Sequence, residues 1–123
     1  MFGPGPGLGQ AVARRYAQDG HEVVLVARQR QPLELFAQEL TGAGARAHVI
    51  TADLADTNAI PALARQIRAK VGGPDTFYYA PTSDGGFVPA ANLTPQRTQA
   101  FLPLAFYSLL ALVQSAPEAA YPR

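Results

Sequence analysis

The chain has 123 residues, 48% of them hydrophobic and 15% charged, with a net charge of +1. That length bounds it to one domain or part of a larger one, apolar enough to bury a core and not disordered by composition. The near-neutral charge leaves no electrostatic footprint for nucleic acid or an anionic membrane surface. The absence of cysteine removes disulfides, cysteine zinc sites and thiol nucleophiles, and fits a reducing, cytoplasmic setting.

The first residues, MFGPGPGLGQAVARR, show no charged stretch followed by an apolar core, so they do not read as a signal peptide. Gly3, Gly7 and Gly9 have the spacing G-x-x-x-G-x-G, and Gly5, Gly7 and Gly9 satisfy a looser alternation. Such a run is either a Gly/Pro linker or a turn that lets backbone amides approach a pyrophosphate. The context favours the turn: an amphipathic helix follows at once, with Leu8, Val12, Ala13 and Tyr16 at helical spacing and Gly20 as its stop. The amino end of that helix would offer unpaired N–H groups and the positive end of its dipole. No Gly-Lys-Ser/Thr follows, which excludes a P-loop.

HEVVLVAR is a short apolar β-branched run, the mark of a strand buried on both faces. QPLELFAQELTGAG predicts a second helix, ARAHVITAD a second strand, and NAIPALARQIRAKVGG a third helix with Pro61 in its opening turn and Gly72–Gly73 at its end. DTFYYA predicts a third strand. PTSDGGFVPAANLTP reads as a loop, and Thr94 as the N-cap of a fourth helix with Pro95 at its first position, running to about Ser115 and bent near Pro103. The tail APEAAYPR reads as loose. The run FLPLAFYSLLALV is too short to span a membrane and contains a proline, so it reads as a buried or interface helix. This alternation predicts an α/β fold with a parallel sheet and helices on both faces, a doubly wound arrangement.

The end of the first of these strands bears on cofactor choice. An acidic residue there would receive a ribose 2′-hydroxyl; this chain has Ala27, then Arg28 and Arg30, whose guanidinium groups suit a 2′-phosphate. The expected cofactor is therefore NADP(H), with NAD less favoured. His21 and His48 are far apart and lack ligand spacing, so no metal site is expected, and no G-x-S-x-G exists to anchor a serine hydrolase. The FYY cluster at 77–79 could stack a base but fits a buried strand better.

With these residues in view, the sequence resembles the short-chain dehydrogenase/reductase family, across almost the whole chain but only over the family's cofactor-binding half. GPGPGLG resembles its glycine motif, VVLVAR its NADP-type strand end and TADLAD its acidic turn. The resemblance implies a Rossmann-like fold, here incomplete at both ends. It implies that Gly3, Gly5, Gly7, Leu8 and Gly9 hold the pyrophosphate, that Arg28 and Arg30 meet the 2′-phosphate, that Asp53 and Leu54 flank the adenine, and that Tyr79, Ala80 and Pro81 lie beside the ribose. It also implies a homo-oligomer formed through the helix around 96–115 and a small-molecule substrate of unknown identity. Taken alone, Asp53 is equally an Asx-turn residue.

The departures are specific. YYAPT stands where the family has Asn-Asn-Ala-Gly, and the asparagine usual in the fourth helix is missing. Lys70 is the only lysine and has no tyrosine four residues before it, so no catalytic residue is assigned; the resemblance implies that the catalytic Tyr, Lys and Ser lie beyond Arg123. The strand that should precede the glycines would sit mid-sheet, and each buried backbone group left unpaired costs about 1–3 kcal/mol against a total stability of about 5–15 kcal/mol. The sequence is accordingly expected to be an incomplete record of a longer chain. Three functions fit: an NADP(H)-dependent oxidoreductase moving a hydride between nicotinamide and a carbonyl or alcohol, a non-catalytic NADP(H)-binding or sensing protein, and a dimerising interaction module with an unused nucleotide pocket.

Overall fold

Two runs of β-branched residues pair as the centre of the molecule. In the computed structural model, which describes residues 1–82 and 88–115, strand β1 (Val23–Ala27) lies parallel to strand β2 (Ala47–Thr51), with Val23 opposite Ala47 and Ala27 opposite Thr51. Successive β1 side chains point to opposite faces, and both faces are covered. Val23 and Leu25 pack with Ala13 and Ala17 of helix α1 (Leu8–Gln18) and with Leu33, Phe36 and Leu40 of helix α2 (Arg30–Gly42). Val24 and Val26 pack on the other face with Ile60, Leu63 and Ile67 of helix α3 (Ile60–Val71), and with Leu112 of helix α5 (Ser108–Gln114). The doubly wound layering expected from the sequence is thus present, on a smaller sheet. Arg14 ties α1 to α2: its guanidinium contacts both carboxylate oxygens of Glu39, at 2.6 and 3.1 Å, and lies 5.0 Å from the centre of the Phe36 ring.

Phe2 extends the sheet by one residue. It forms a parallel bridge to Val26 on one side and to Tyr79 on the other. Its N–H donates to the Tyr78 carbonyl at 2.8 Å and its carbonyl accepts from Ala80 N–H at 2.9 Å; on the other side, Val26 N–H reaches the Met1 carbonyl and Gly3 N–H the Val26 carbonyl, both at 2.9 Å. The strand expected over residues 75–80 is reduced to that single bridge at Tyr79, because a ladder needs a neighbour and, among the described residues, only Phe2 is bridged to it. Two of the three aromatic residues pack, half-buried, against the core: the Phe77 and Tyr79 rings each sit 6.0 Å from the Phe2 ring.

The predicted fourth helix is three pieces: helix α4 (Pro95–Leu102), a wide π turn (Pro103–Tyr107) and α5. Thr94 caps it as expected, its hydroxyl accepting from Arg97 N–H at 3.3 Å. Residues 83–87 of the predicted loop and the 116–123 tail lie outside the described residues. Among the described residues, no helix is long and apolar enough to cross a membrane.

Phe2 is 1% exposed and Leu8 73% exposed. Phe2→Ala should lose about 3–5 kcal/mol in urea unfolding, the usual cost of emptying a buried phenylalanine site, whereas Leu8→Ala should change stability by less than about 0.5 kcal/mol.

Candidate nucleotide-binding cleft

The carboxyl ends of β1 and β2 open into a cleft of about 420 Å³. The glycine turn supplies one wall through Gly3, Pro4, Gly5 and Pro6, and the end of β1 supplies Ala27, Arg28 and Gln29. The turn after β2 adds Ala52 to Ala55; Pro81, Thr82 and Leu104 close another side. In an open α/β sheet this is the edge at which ligands bind. A second cavity, of about 240 Å³, lies elsewhere, bounded by Val23, Val24, Thr76 and Phe77, and touches none of the glycines of the turn.

The turn is built by close approach. Gly3 has φ +67°, and a Cβ there would stand 2.5 Å from the Pro81 Cα; a Cβ on Gly9 would stand 2.9 Å from the Pro4 Cα. Gly9 therefore lets the helix pack on the turn itself, rather than on the sheet. Gly7, at φ +104°, takes the N-cap position of α1, where its backbone suits glycine but no neighbour crowds it. Gly5 is open on all sides and lines the cleft. Gly5 N–H is used inside the turn, donating to the Gly3 carbonyl at 2.7 Å, and Pro4 and Pro6 have no N–H to give. The amides of Gly7, Leu8 and Gly9 have no carbonyl acceptor among the described residues. First-turn donors of this kind suit an anion, but Gly7, Leu8 and Gly9 flank the cleft and do not line it, unlike Gly3 and Gly5 before them and Gln10 after them. Leu8 contributes backbone only, since its side chain points to solvent.

The other predicted residues divide. Arg28 is exposed and lines the cleft. Arg30 does not line it: its Nε donates to Glu34 Oε1 at 2.7 Å, one helical turn on. Asp53 lines the cleft, and its Oδ1 accepts from Ala55 N–H at 2.9 Å, so one carboxylate oxygen serves the turn. Leu54 reaches the cleft but is mostly core, at 3% exposure. Pro81 lines the cleft, whereas Ala80 and Tyr79 do not. The Tyr79 ring faces inward, its hydroxyl donating to the Leu104 carbonyl at 2.5 Å, and burial pushes the phenol above its ordinary value, a nearby Ser108 hydroxyl acting against that. Away from the cleft, the His48 ring is held 2.6 Å from Glu22 and the His21 ring packs 5.3 Å from Tyr16. The pairing with His48, and more weakly the charge of Arg46, hold the Glu22 carboxyl below its usual value.

Sequence reasoning missed Gln10, Gln29, Pro32, Thr82 and Leu104, all of which line the cleft. Gln10 was findable, because it lies within the first turn of the helix that follows the glycines. Leu104 was not, because a long-range packing contact brings it there.

The sequence profile of the short chain dehydrogenase family matches residues 1–120. The chain belongs to this family. Among curated relatives, an uncharacterised oxidoreductase of Mycobacterium bovis is 41% identical over 78 residues, covering 61% of this chain and 23% of that protein. A fatty acyl-CoA reductase of Acinetobacter baylyi is 38% identical over 75 residues, covering 61% and 25%. Among solved structures, a metagenomic short-chain oxidoreductase in complex with NADP superposes with a TM-score of 0.82 at 27% identity, over 94% of this chain and 52% of that one. The L-sorbose reductase of Gluconobacter frateurii, complexed with NADPH and L-sorbose, gives 0.82 at 25% identity, over 94% and 44%. The chain therefore has the Rossmann-like fold of these neighbours, and spans about a quarter of the length of the curated relatives and about half of the solved chains.

Gly3→Ala should destabilise the chain by about 2–4 kcal/mol, combining a left-handed backbone strain with a clash against Pro81. Gly5→Ala should leave the urea midpoint within about 0.5 kcal/mol of the parent. Equal losses in urea melts would contradict the geometry.

Proposed function

We propose that the chain forms the NADP(H)-binding half of an oxidoreductase that moves a hydride between nicotinamide and a carbonyl or alcohol. The observation that carries this reading is Arg28 at the rim of the cleft, at the strand end where a carboxylate would favour the 2′-hydroxyl of NAD. A guanidinium in that place suits the 2′-phosphate of NADP. The first-turn amides of α1 would face the pyrophosphate, Asp53 and Leu54 would flank the adenine, and Pro81 would sit beside the ribose. Arg30 takes a secondary part, reached by releasing its surface pair with Glu34; exposed pairs of this kind are weak.

Proton donation is assigned to no residue of 1–123. Carbonyl reduction needs an acid within hydrogen-bond reach of the oxygen. Lys70 is the only lysine and no tyrosine stands four residues before it. The phenol of Tyr79 is turned away from the cleft, onto the Leu104 carbonyl. Substitution of the family's asparagines by Tyr78 and Tyr79 favours a second reading, an NADP(H)-binding or sensing protein without turnover.

Arg28→Ala should weaken NADPH by roughly 1.5–3 kcal/mol, the scale of a hydrogen bond to a charged group, and leave NADH nearly unchanged, as read by fluorescence titration. The parent should bind NADPH without oxidising it in the presence of ketones, sugars or long-chain aldehydes. Equal losses for both cofactors would remove the 2′-phosphate assignment.

The helical segment 95–114 is proposed as a contact between copies. Phe101, Phe106, Tyr107 and Leu110 on it are between 42% and 54% exposed, a density of apolar surface that usually marks a partner. Light scattering at micromolar concentration should give a dimer, and Phe106→Glu with Leu110→Glu should give a monomer. A monomeric parent would contradict this assignment and leave the nucleotide site untouched.

A further inference from the structure

The break in the last helix has a visible cause and two visible anchors. Pro103 has no N–H and its ring crowds the preceding turn, so a regular helix cannot pass through it unchanged. The chain widens instead into the π turn, where Ser108 N–H donates to the Pro103 carbonyl five residues back. Two side-chain hydroxyls then fix the turn from opposite ends. Tyr79 donates to the Leu104 carbonyl at 2.5 Å, and the fully buried Ser108 donates to the Leu54 carbonyl. Both acceptor residues, Leu104 and Leu54, line the nucleotide cleft.

The order across the molecule gives these anchors a direction. The backbone runs β2, β1, Phe2, Tyr79. Arg28 follows β1 directly, while Ala80, Pro81 and Thr82 follow Tyr79. A dinucleotide with its 2′-phosphate at Arg28 and its pyrophosphate at the glycine turn must extend toward Pro81, Thr82 and Leu104.

We infer that Tyr79 is a positioning residue for the nicotinamide half of the dinucleotide: its hydroxyl, acting through the Leu104 carbonyl, holds the π turn so that Leu104 closes the Pro81–Thr82 end of the cleft. This rests on the NADP(H) reading above. The phenol is a donor at its ordinary value, and burial pushes it further up, against the opposing effect of the Ser108 hydroxyl.

The test compares the parent with Tyr79→Phe, which deletes only the hydroxyl, and with Leu104→Ala, which keeps the carbonyl and shortens the wall. Two ligands are titrated into each: NADPH, and adenosine 2′,5′-bisphosphate, which carries the Arg28 end and lacks the nicotinamide. Amide hydrogen exchange is followed in the same samples. Tyr79→Phe should weaken NADPH by about three- to tenfold, the worth of one hydrogen bond, and leave the bisphosphate within about twofold. Exchange should speed up across residues 104–109 and stay unchanged across 23–27. Leu104→Ala should reproduce the NADPH-selective loss without faster exchange. Equal weakening of both ligands would mean that the hydroxyl serves only general stability and would overturn the inference, as would unchanged exchange across the turn. If the parent binds neither ligand, the NADP(H) reading fails along with the nucleotide role given to Tyr79, while the exchange data still decide whether the hydroxyl holds the turn.

Discussion

Phe2 is the residue on which the cleft depends. Its backbone is shared between two neighbours, Val26 on one side and Tyr79 on the other, and its ring lies in the core against Phe77 and Tyr79. The glycine turn leaves from the next residue. Gly3 N–H is bound to the Val26 carbonyl at 2.9 Å, and Gly3 Cα lies so close to Pro81 that no side chain fits. The position of the turn is thus set by one bridged residue, and the three sides of the cleft share that reference point.

From that point the geometry acts by limiting what the backbone can do. Pro4 and Pro6 restrict φ and withdraw two amides from the turn, and Gly5 N–H is used within it. The amides left without a carbonyl acceptor among the described residues are those of Gly7, Leu8 and Gly9, at the positive end of α1, next to the cleft wall formed by Gly3 to Pro6. A turn restricted in this way would lose little conformational freedom to a ligand. Arg28 supplies the cleft-facing positive charge at the other end, and the turn after β2 holds Asp53 in place through the Ala55 amide.

Much of this was legible in the sequence, for reasons that differ by residue. The unbroken apolar run Val23–Ala27 could only be a strand covered on both sides, and Val24, Val26 against Val23, Leu25 divide between the two cores as strand alternation requires. The glycine spacing located the cleft because it reports a steric demand, which Gly3 and Gly9 meet against Pro81 and Pro4. Arg30 was harder: a pair with Glu34 four residues on competes for the same guanidinium, and local spacing does not say which partner wins. Leu54 and Tyr79 were placed toward the nucleotide; Leu54 is buried in the core and Tyr79 is half-buried against it, its hydroxyl taken by the Leu104 carbonyl of the π turn. The residues from Thr76 to Tyr79 have strand composition, but strand pairing is a property of two segments, and among the described residues only Phe2 is bridged to this one. The bend at Pro103 was expected; the side chains that hold it come from residues 79 and 108, one of them far away in sequence.

The proposed binding mode lays one dinucleotide across the strand ends, its pyrophosphate at the first turn of α1 and its 2′-phosphate at Arg28. A two-dimensional amide NMR titration of the chain with NADP tests it most directly. Saturable shifts are expected at Gly5, Gly7, Leu8, Gly9, Arg28 and Ala55, with the Arg28 response absent when NAD replaces NADP. Shifts confined to residues around the cavity bounded by Val23, Val24, Thr76 and Phe77, or identical responses to NADP and NAD at Arg28, would contradict it.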